Sequence, residues 1–186
     1  MKIGTLCYIR RNGRTLMMFR DRIPGDPHRG KWNGLGGKME PGETPEECVI
    51  REVMEESGLA LESPVLRGFL TFPAFEGDED WYVFLFEASS PAGEPGDCRE
   101  GRLELDGCRM ESSSPHRSTE GEPWECREGR LEWIEDSRIP TLPLWEGDHL
   151  FMKWMEDGRF FSGRLAYGGG RLVSSGVVFY PREAAN

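Results

Sequence analysis

The sequence predicts an α/β (α+β) sandwich built on a mixed sheet, on two observations. Strand-like segments outnumber helical ones, and the two helical segments carry their own end signals and flank the strands. Residues 2 to 22 form two strands joined at Asn12-Gly13, a hairpin turn signal, with Thr15 to Phe19 returning. A polar loop follows from Ile23 to Lys31, and the Gly-rich Trp32 to Met39 enters the next element as a short strand. Thr44 starts a helix: it is a good N-cap, Pro45 suits the first helical position, and Glu47 completes a capping box. Gly58 stops it as a C′ glycine.

Val65 to Pro73 and Asp80 to Glu87 are aromatic-rich strands around the turn Glu76 to Glu79. Arg130 to Ile134 is a further strand. Trp145 to Asp157 places Trp145, His149, Met152 and Met155 at helical spacing, and Gly158 ends that helix. Arg159 to Tyr167 and Leu172 to Tyr180 close the chain as a hairpin across Gly168-Gly169-Gly170. One stretch breaks this economy. GEPGDCREGRLE at Gly93 to Glu104 recurs as GEPWECREGRLE at Gly121 to Glu132. Two copies cannot form a solenoid, so this is a tandem duplication. The second copy runs into Trp133-Ile134-Glu135 and is expected in the fold; the first belongs to a solvated insertion at about 91–120 within a single domain spanning 1–186.

The 186 residues suffice for a self-sufficient core, and 37% hydrophobic with 30% charged content fits a soluble globular chain. A net charge of −10 argues against a nucleic-acid polymer or a membrane surface as partner. No apolar run approaches a membrane span, and polar residues return by Arg10, so no signal-peptide core is expected. Five cysteines with no CxxC pair and no zinc spacing fit reduced thiols in a cytoplasmic protein, expected to be monomeric.

The chemistry concentrates in Gly37 to Leu59, GKMEPGETPEECVIREVMEESGL. On its helix Val49, Ile50, Val53 and Met54 form an apolar stripe, and Glu52, Glu55 and Glu56 are expected on the opposite side. Three close carboxylates repel one another by roughly 0.2–0.5 kcal/mol per pair even when exposed. A divalent cation gives that repulsion a purpose: Mg2+, or Mn2+, takes oxygen ligands and bridges to phosphates. Arg51 reaches Glu55 at i+4 and can orient carboxylates by a two-pronged contact. Lys38 is placed to meet a phosphate, with a plain surface lysine the competing explanation.

The spacing of Gly37, Glu43, Arg51, Glu52, Glu55, Glu56 and Gly58, with Val53 and Leu59 apolar, resembles the signature of the Nudix hydrolases. Seven residue types at about one in fifteen each coincide by chance on the order of once in 10^8 positions. The resemblance implies a Nudix-type α/β/α sandwich whose helix carries a metal site formed by Gly37 through its carbonyl, Glu52, Glu55, Glu56 and Glu128. It also implies that Glu52, Glu55 and Glu56 bind metal and position or deprotonate the attacking water, with Arg51 beside them. Glu128 matches the glutamate that a later strand contributes; Glu100 is its twin in the first copy, and the better strand favours Glu128. The identity of the base stays open among these carboxylates.

Gly30 to Lys38, Phe69 to Pro73, Asp80 to Tyr82, Leu144 to His149 and Phe160 to Ser162 resemble the MutT/MutX-type 8-oxo-dGTP diphosphatases, which remove oxidised purine nucleotides before they reach DNA. That likeness implies a nucleotide substrate held by Asn33, Lys38, Phe72, Trp145 and Asp148. Asn33 can read the O6 and N7 edge of a purine, and oxidation turns N7 from acceptor into donor. Asp148 can accept from the guanine N1–H and 2-amino group, while Trp145 and Phe72 offer stacking faces worth roughly 1–3 kcal/mol per base. The competing explanations are a loop-turn Asn33, a solvated Asp148 and a core Trp145. The chain departs from the animal members, which carry two adjacent acids after the tryptophan: here Gly147 precedes a single Asp148, which favours a guanine-type preference. The alternatives are the same hydrolysis of an undamaged nucleotide, a nucleotide sugar or a dinucleoside polyphosphate, and a nucleotide-binding module without catalysis.

Overall fold

A computed structural model describes residues 1–89 and 126–181. The first repeat copy and the insertion expected at 91–120 lie outside the described residues. The elements in order are β1 (Lys2–Arg11), β2 (Arg14–Arg20), β3 (Trp32–Asn33), α1 (Pro45–Ser57), β4 (Val65–Glu76), β5 (Glu79–Ser89), β6 (Gly129–Glu135), a 3-10 turn (Asp136–Thr141), α2 (Glu146–Glu156), β7 (Phe161–Gly168) and β8 (Arg171–Phe179). The strands make one sheet in the order β3-β2-β1-β5-β4-β7-β8, with β6 also paired to β2. β1 runs parallel to β5, and β4 parallel to β7; the other pairs are antiparallel. The expected mixed sheet and its two flanking helices are therefore present. No helix among the described residues is long and apolar enough to cross a membrane.

Alternation along the strands divides the core in two. Cys7 and Ile9 of β1 join Val49 and Val53 of α1 on one face, and Tyr8 between them joins Phe151 and Met155 of α2 on the other. β4 serves both faces because of a bulge at Arg67. Leu66 pairs with Phe86 on the α1 side, yet Gly68 pairs with Leu85 and Leu70 packs on the α2 side. The extra residue flips the side-chain parity.

α1 is capped as the sequence predicts. The Thr44 hydroxyl accepts the Glu47 N–H at 3.2 Å, and the Glu47 carboxylate accepts the Thr44 N–H at 2.7 Å. Gly58 closes the helix at φ 70°, donating to the Met54 carbonyl at 2.8 Å. The expectation about the face of α1 is corrected. The buried face of α1 is Cys48, Val49, Ile50, Val53, Glu56 and Ser57, so Glu56 lies beside the apolar stripe, not opposite it. At 100° per residue Val49, Val53 and Glu56 fall within roughly 60° of one another. In α2 the buried positions are Gly147, Asp148, Phe151 and Met155, and His149 and Met152 are only partly covered.

The expected strand from Trp32 to Met39 is also corrected. Only Trp32–Asn33 pairs as a strand, with Met18 and Phe19 of β2. Beyond it the chain runs against β1 through isolated pairs, with Thr5 N–H donating to the Gly37 carbonyl at 2.8 Å and Cys7 N–H to the Leu35 carbonyl at 2.6 Å. Glycine makes this close approach possible. Gly36 sits at φ 139°, and a Cβ there would strike the Thr5 carbonyl.

Candidate active site

The Gly36-Gly37 backbone, pinned to β1 on one side, is gripped by α1 on the other. The Glu56 carboxylate accepts the Gly36 N–H at 2.8 Å. The Glu52 carboxylate packs so closely on Gly37 that a Cβ there would come within 2.5 Å of it. Both carboxyls are pushed above the usual range, first by burial and then by neighbouring acids: Glu55 and Glu128 act on Glu52, and Glu128 and Glu52 on Glu56. Glu56 is 7% exposed, so its charge is the costlier to maintain. Glu55 stands half in solvent.

Arg51 organises this wall. It donates from Nε and Nη2 to the two oxygens of Glu43 at 2.6 and 3.0 Å, and from Nη1 to Glu52 at 2.9 Å and Glu55 at 3.3 Å. The expected i+4 contact to Glu55 is present, but the two-pronged contact goes to Glu43. That pairing holds Glu43 below the usual carboxylate range. Glu128, just before β6, comes to the same place from the far end of the chain. It is held by Arg20 Nη1, and the Arg20 Nε donates to Asp26 at 2.7 Å. No three acidic, imidazole or thiolate groups among the described residues are already arranged as a closed metal cluster. The set is nonetheless all oxygen, and the repulsion that helps to raise Glu52 and Glu56, to which the Glu128 charge contributes, is what a bound cation would relieve.

A cavity of about 300 Å³ opens beside this wall, and Gly36, Gly37, Lys38 and Glu128 line it at that end. Arg51, Glu52, Glu55 and Glu56 stand behind the glycine backbone and are not among its lining residues. Asn33, Phe72, Trp145 and Asp148 line the same cavity, together with Phe75 and Tyr167. All five residues expected to hold substrate are thus brought to one space. Trp145 is fixed on several sides: its indole N–H donates to His28 Nδ1 at 3.0 Å, Lys31 Nζ lies 5.0 Å from its ring centroid, and Phe75 and Tyr167 meet it edge-on at 5.3 and 5.4 Å. Asp148 is not solvated. Burial pushes its carboxyl up to about 7, against the opposing pull of a Trp145 backbone hydrogen bond and the Lys31 charge.

Sequence reasoning missed Arg20, Asp26, His28, Phe75 and Tyr167. Arg20 meets Glu128 across 108 positions, and Trp145 meets His28 across 117, so nothing local marks either pair. Phe75 lies beyond the strand expected at Val65 to Pro73, which in the structure continues to Glu76.

The NUDIX domain profile matches residues 2–135. The chain belongs to the Nudix family. It is a MutT-type Nudix hydrolase, an enzyme acting on phosphorus-containing anhydrides, and Nudix enzymes work with divalent metal ions. Among relatives, it is 30% identical over 172 residues to the oxidized purine nucleoside triphosphate hydrolase of Danio rerio, covering 92% of this chain and 90% of that one. It is 26% identical over 166 residues to the mouse (Mus musculus) protein of the same name, covering 89% and 86%. The crystal structure of a MutT protein from Bacillus halodurans superposes with a TM-score of 0.70 at 26% identity, covering 95% of this Nudix chain and 97% of its own.

Proposed function

We propose that this Nudix enzyme hydrolyses 8-oxo-dGTP, or a closely related oxidised purine nucleoside triphosphate, to the monophosphate and pyrophosphate, so cleansing the nucleotide pool. The observation that carries the proposal is a single cavity lined at one end by Glu128 and by the Gly36-Gly37 backbone that Glu52 and Glu56 grip from behind, with an amide, a buried acid and aromatic rings elsewhere in its lining. The names of the fish and mouse relatives point the same way. Gly37, Glu52, Glu55, Glu56 and Glu128 are the residues that would hold Mg2+ or Mn2+; a divalent ion there lowers the pKa of water and neutralises phosphate charge.

Arg51 keeps Glu52 and Glu55 in fixed relation to Glu43, which preorganises the wall before substrate arrives. Water attacks a phosphorus of the triphosphate, one of Glu52, Glu55, Glu56 or Glu128 takes its proton, and the P–O bond to pyrophosphate breaks. Lys38, at the cavity mouth, meets the phosphates. Asn33 and Asp148 read the purine edge between Trp145 and Phe72. The net charge of −10 leaves free nucleotides, not nucleic-acid polymers, as the partners, and the enzyme works as a cytoplasmic monomer.

Turnover of 8-oxo-dGTP, dGTP, ADP-ribose and diadenosine polyphosphates with Mg2+ and Mn2+ tests this. A clear preference for the oxidised nucleotide is expected, and Asn33→Ala should erode that preference while hardly changing metal affinity. Equal turnover across the panel, or none of 8-oxo-dGTP, would sink the substrate assignment. Unchanged hydrolysis in Glu55→Gln and Glu56→Gln, where a loss of roughly 10^2–10^4 is expected, would sink the catalytic one.

A further inference from the structure

The first turn of α2 presents Trp145 and Asp148 to the cavity; the Asp148 N–H donates to the Trp145 carbonyl at 3.0 Å, whereas the Gly147 N–H looks outside the helix for its acceptor. Trp145 is the N-cap and offers no side-chain cap. The β7–β8 hairpin ties the turn down instead. The Tyr167 hydroxyl accepts the Gly147 N–H at 2.7 Å, and the Glu146 carboxylate accepts the Leu172 N–H at 2.9 Å. The ring of the same tyrosine stands edge-on to Trp145 and Phe75, each with a centroid separation of 5.4 Å. A Cβ at position 147 would come within 2.5 Å of the Tyr167 oxygen and 2.9 Å of Leu165 Cδ1. Gly147 and Tyr167 therefore form a matched pair: the absent side chain is what admits the hydroxyl.

We infer that the Tyr167 hydroxyl is a positioning group for base recognition. By holding the Gly147 N–H, between Trp145 and Asp148 in the same turn, it fixes the spacing of those two side chains along the cavity lining. This inference rests on the proposed oxidised-purine substrate. It concerns only the base end, since Tyr167 is bonded to α2 and meets Trp145 and Phe75 edge-on, while Glu52 and Glu56 grip the Gly36-Gly37 backbone.

Steady-state kinetics on 8-oxo-dGTP and dGTP, with Mn2+ titrations of the nucleotide-free protein, test it. Tyr167→Phe removes one oxygen and leaves the Gly147 N–H without its acceptor. KM for 8-oxo-dGTP should rise about tenfold, the size expected for stranding a buried donor. kcat should change far less, and Mn2+ affinity not at all. Gly147→Ala alone should raise KM and lower the melting temperature, because its methyl meets the hydroxyl. Tyr167→Phe/Gly147→Ala should recover part of both losses, since the phenyl ring leaves room. A purely structural tyrosine would lower the melting temperature without moving KM. Wild-type KM in Tyr167→Phe, or strictly additive effects in the double variant, would overturn the inference. A wild-type enzyme indifferent to base oxidation would instead overturn the substrate assignment, and the coupling of 147 to 167 in melting temperature would still be measurable.

Discussion

Asp148 combines a recognition role with a cost to the free enzyme. Its carboxyl titrates at about 7 when folded, against roughly 3.9 in an unfolded chain. Between those values the folded protein keeps a proton that the unfolded chain has released, so stability falls as pH rises through the window from about 4 to 7. Above it the full penalty applies. Asp148→Asn keeps an oxygen for the Trp145 backbone and removes the charge. It should therefore raise stability at pH 8 by on the order of 2–4 kcal/mol and change little at pH 4, as followed by thermal melts across pH. A variant less stable at pH 8 than the wild type would show that Lys31 compensates the charge. Residue types and spacing made Asp148 visible as a candidate in the sequence. Its burial was not visible, because that depends on Tyr8, Tyr167 and Phe151 closing around it from three elements.

α1 is the element most completely written in local sequence. Thr44, Pro45, Glu47 and Gly58 supply its start and stop, and each acts within a few residues. Thr44→Ala should cost about 1 kcal/mol by removing one capping bond. Because the helix is also anchored by Val49 and Val53 and by the Glu56 bond to Gly36, it should fray only at its first turn. The expected outcome is a lowered melting temperature with kcat within about twofold, and a large loss of kcat would mean that the cap also places Glu52. The Gly-rich entry segment was less legible. A short strand is expected there in spite of the glycines, whose purpose is a close crossing against β1 that appears only when Thr5 and Cys7 are in place. The 3-10 segment at Asp136–Thr141 gives no periodic signal, being only two turns long with Pro140 inside it.

Across the whole molecule, an acidic chain of net charge −10 buries Glu56 and partly buries Glu52 against one glycine-lined wall, with Glu128 brought in beside them. The raised acids make the metal-free protein less stable as pH increases, by the same sign argument as for Asp148. A cation binding to the folded state should reverse this. Mg2+ at about 100 times its Kd should add about 2.7 kcal/mol, seen as a rise in melting temperature. Because protons compete for the same oxygens, the rise should be larger at pH 8 than at pH 5, and Glu56→Gln should remove most of it. An equal rise in that variant, measured by scanning calorimetry, would place the ion elsewhere. The parallel pairs β1–β5 and β4–β7 bring the two walls of the cavity into one frame, and parallel pairing leaves no hairpin signature to read.

Short-range chemistry was therefore readable directly: helix caps, hairpin turns, the acidic spacing after Gly37 and the family it resembles all depend on neighbours within one or two turns. Folding alone decided that Glu56 faces inward, that Arg20 bridges Glu128 and Asp26, and that Tyr167 reaches Gly147. Those contacts join residues up to 108 positions apart, and packing against a shared sheet, not any local preference of the chain, brings them within hydrogen-bonding reach.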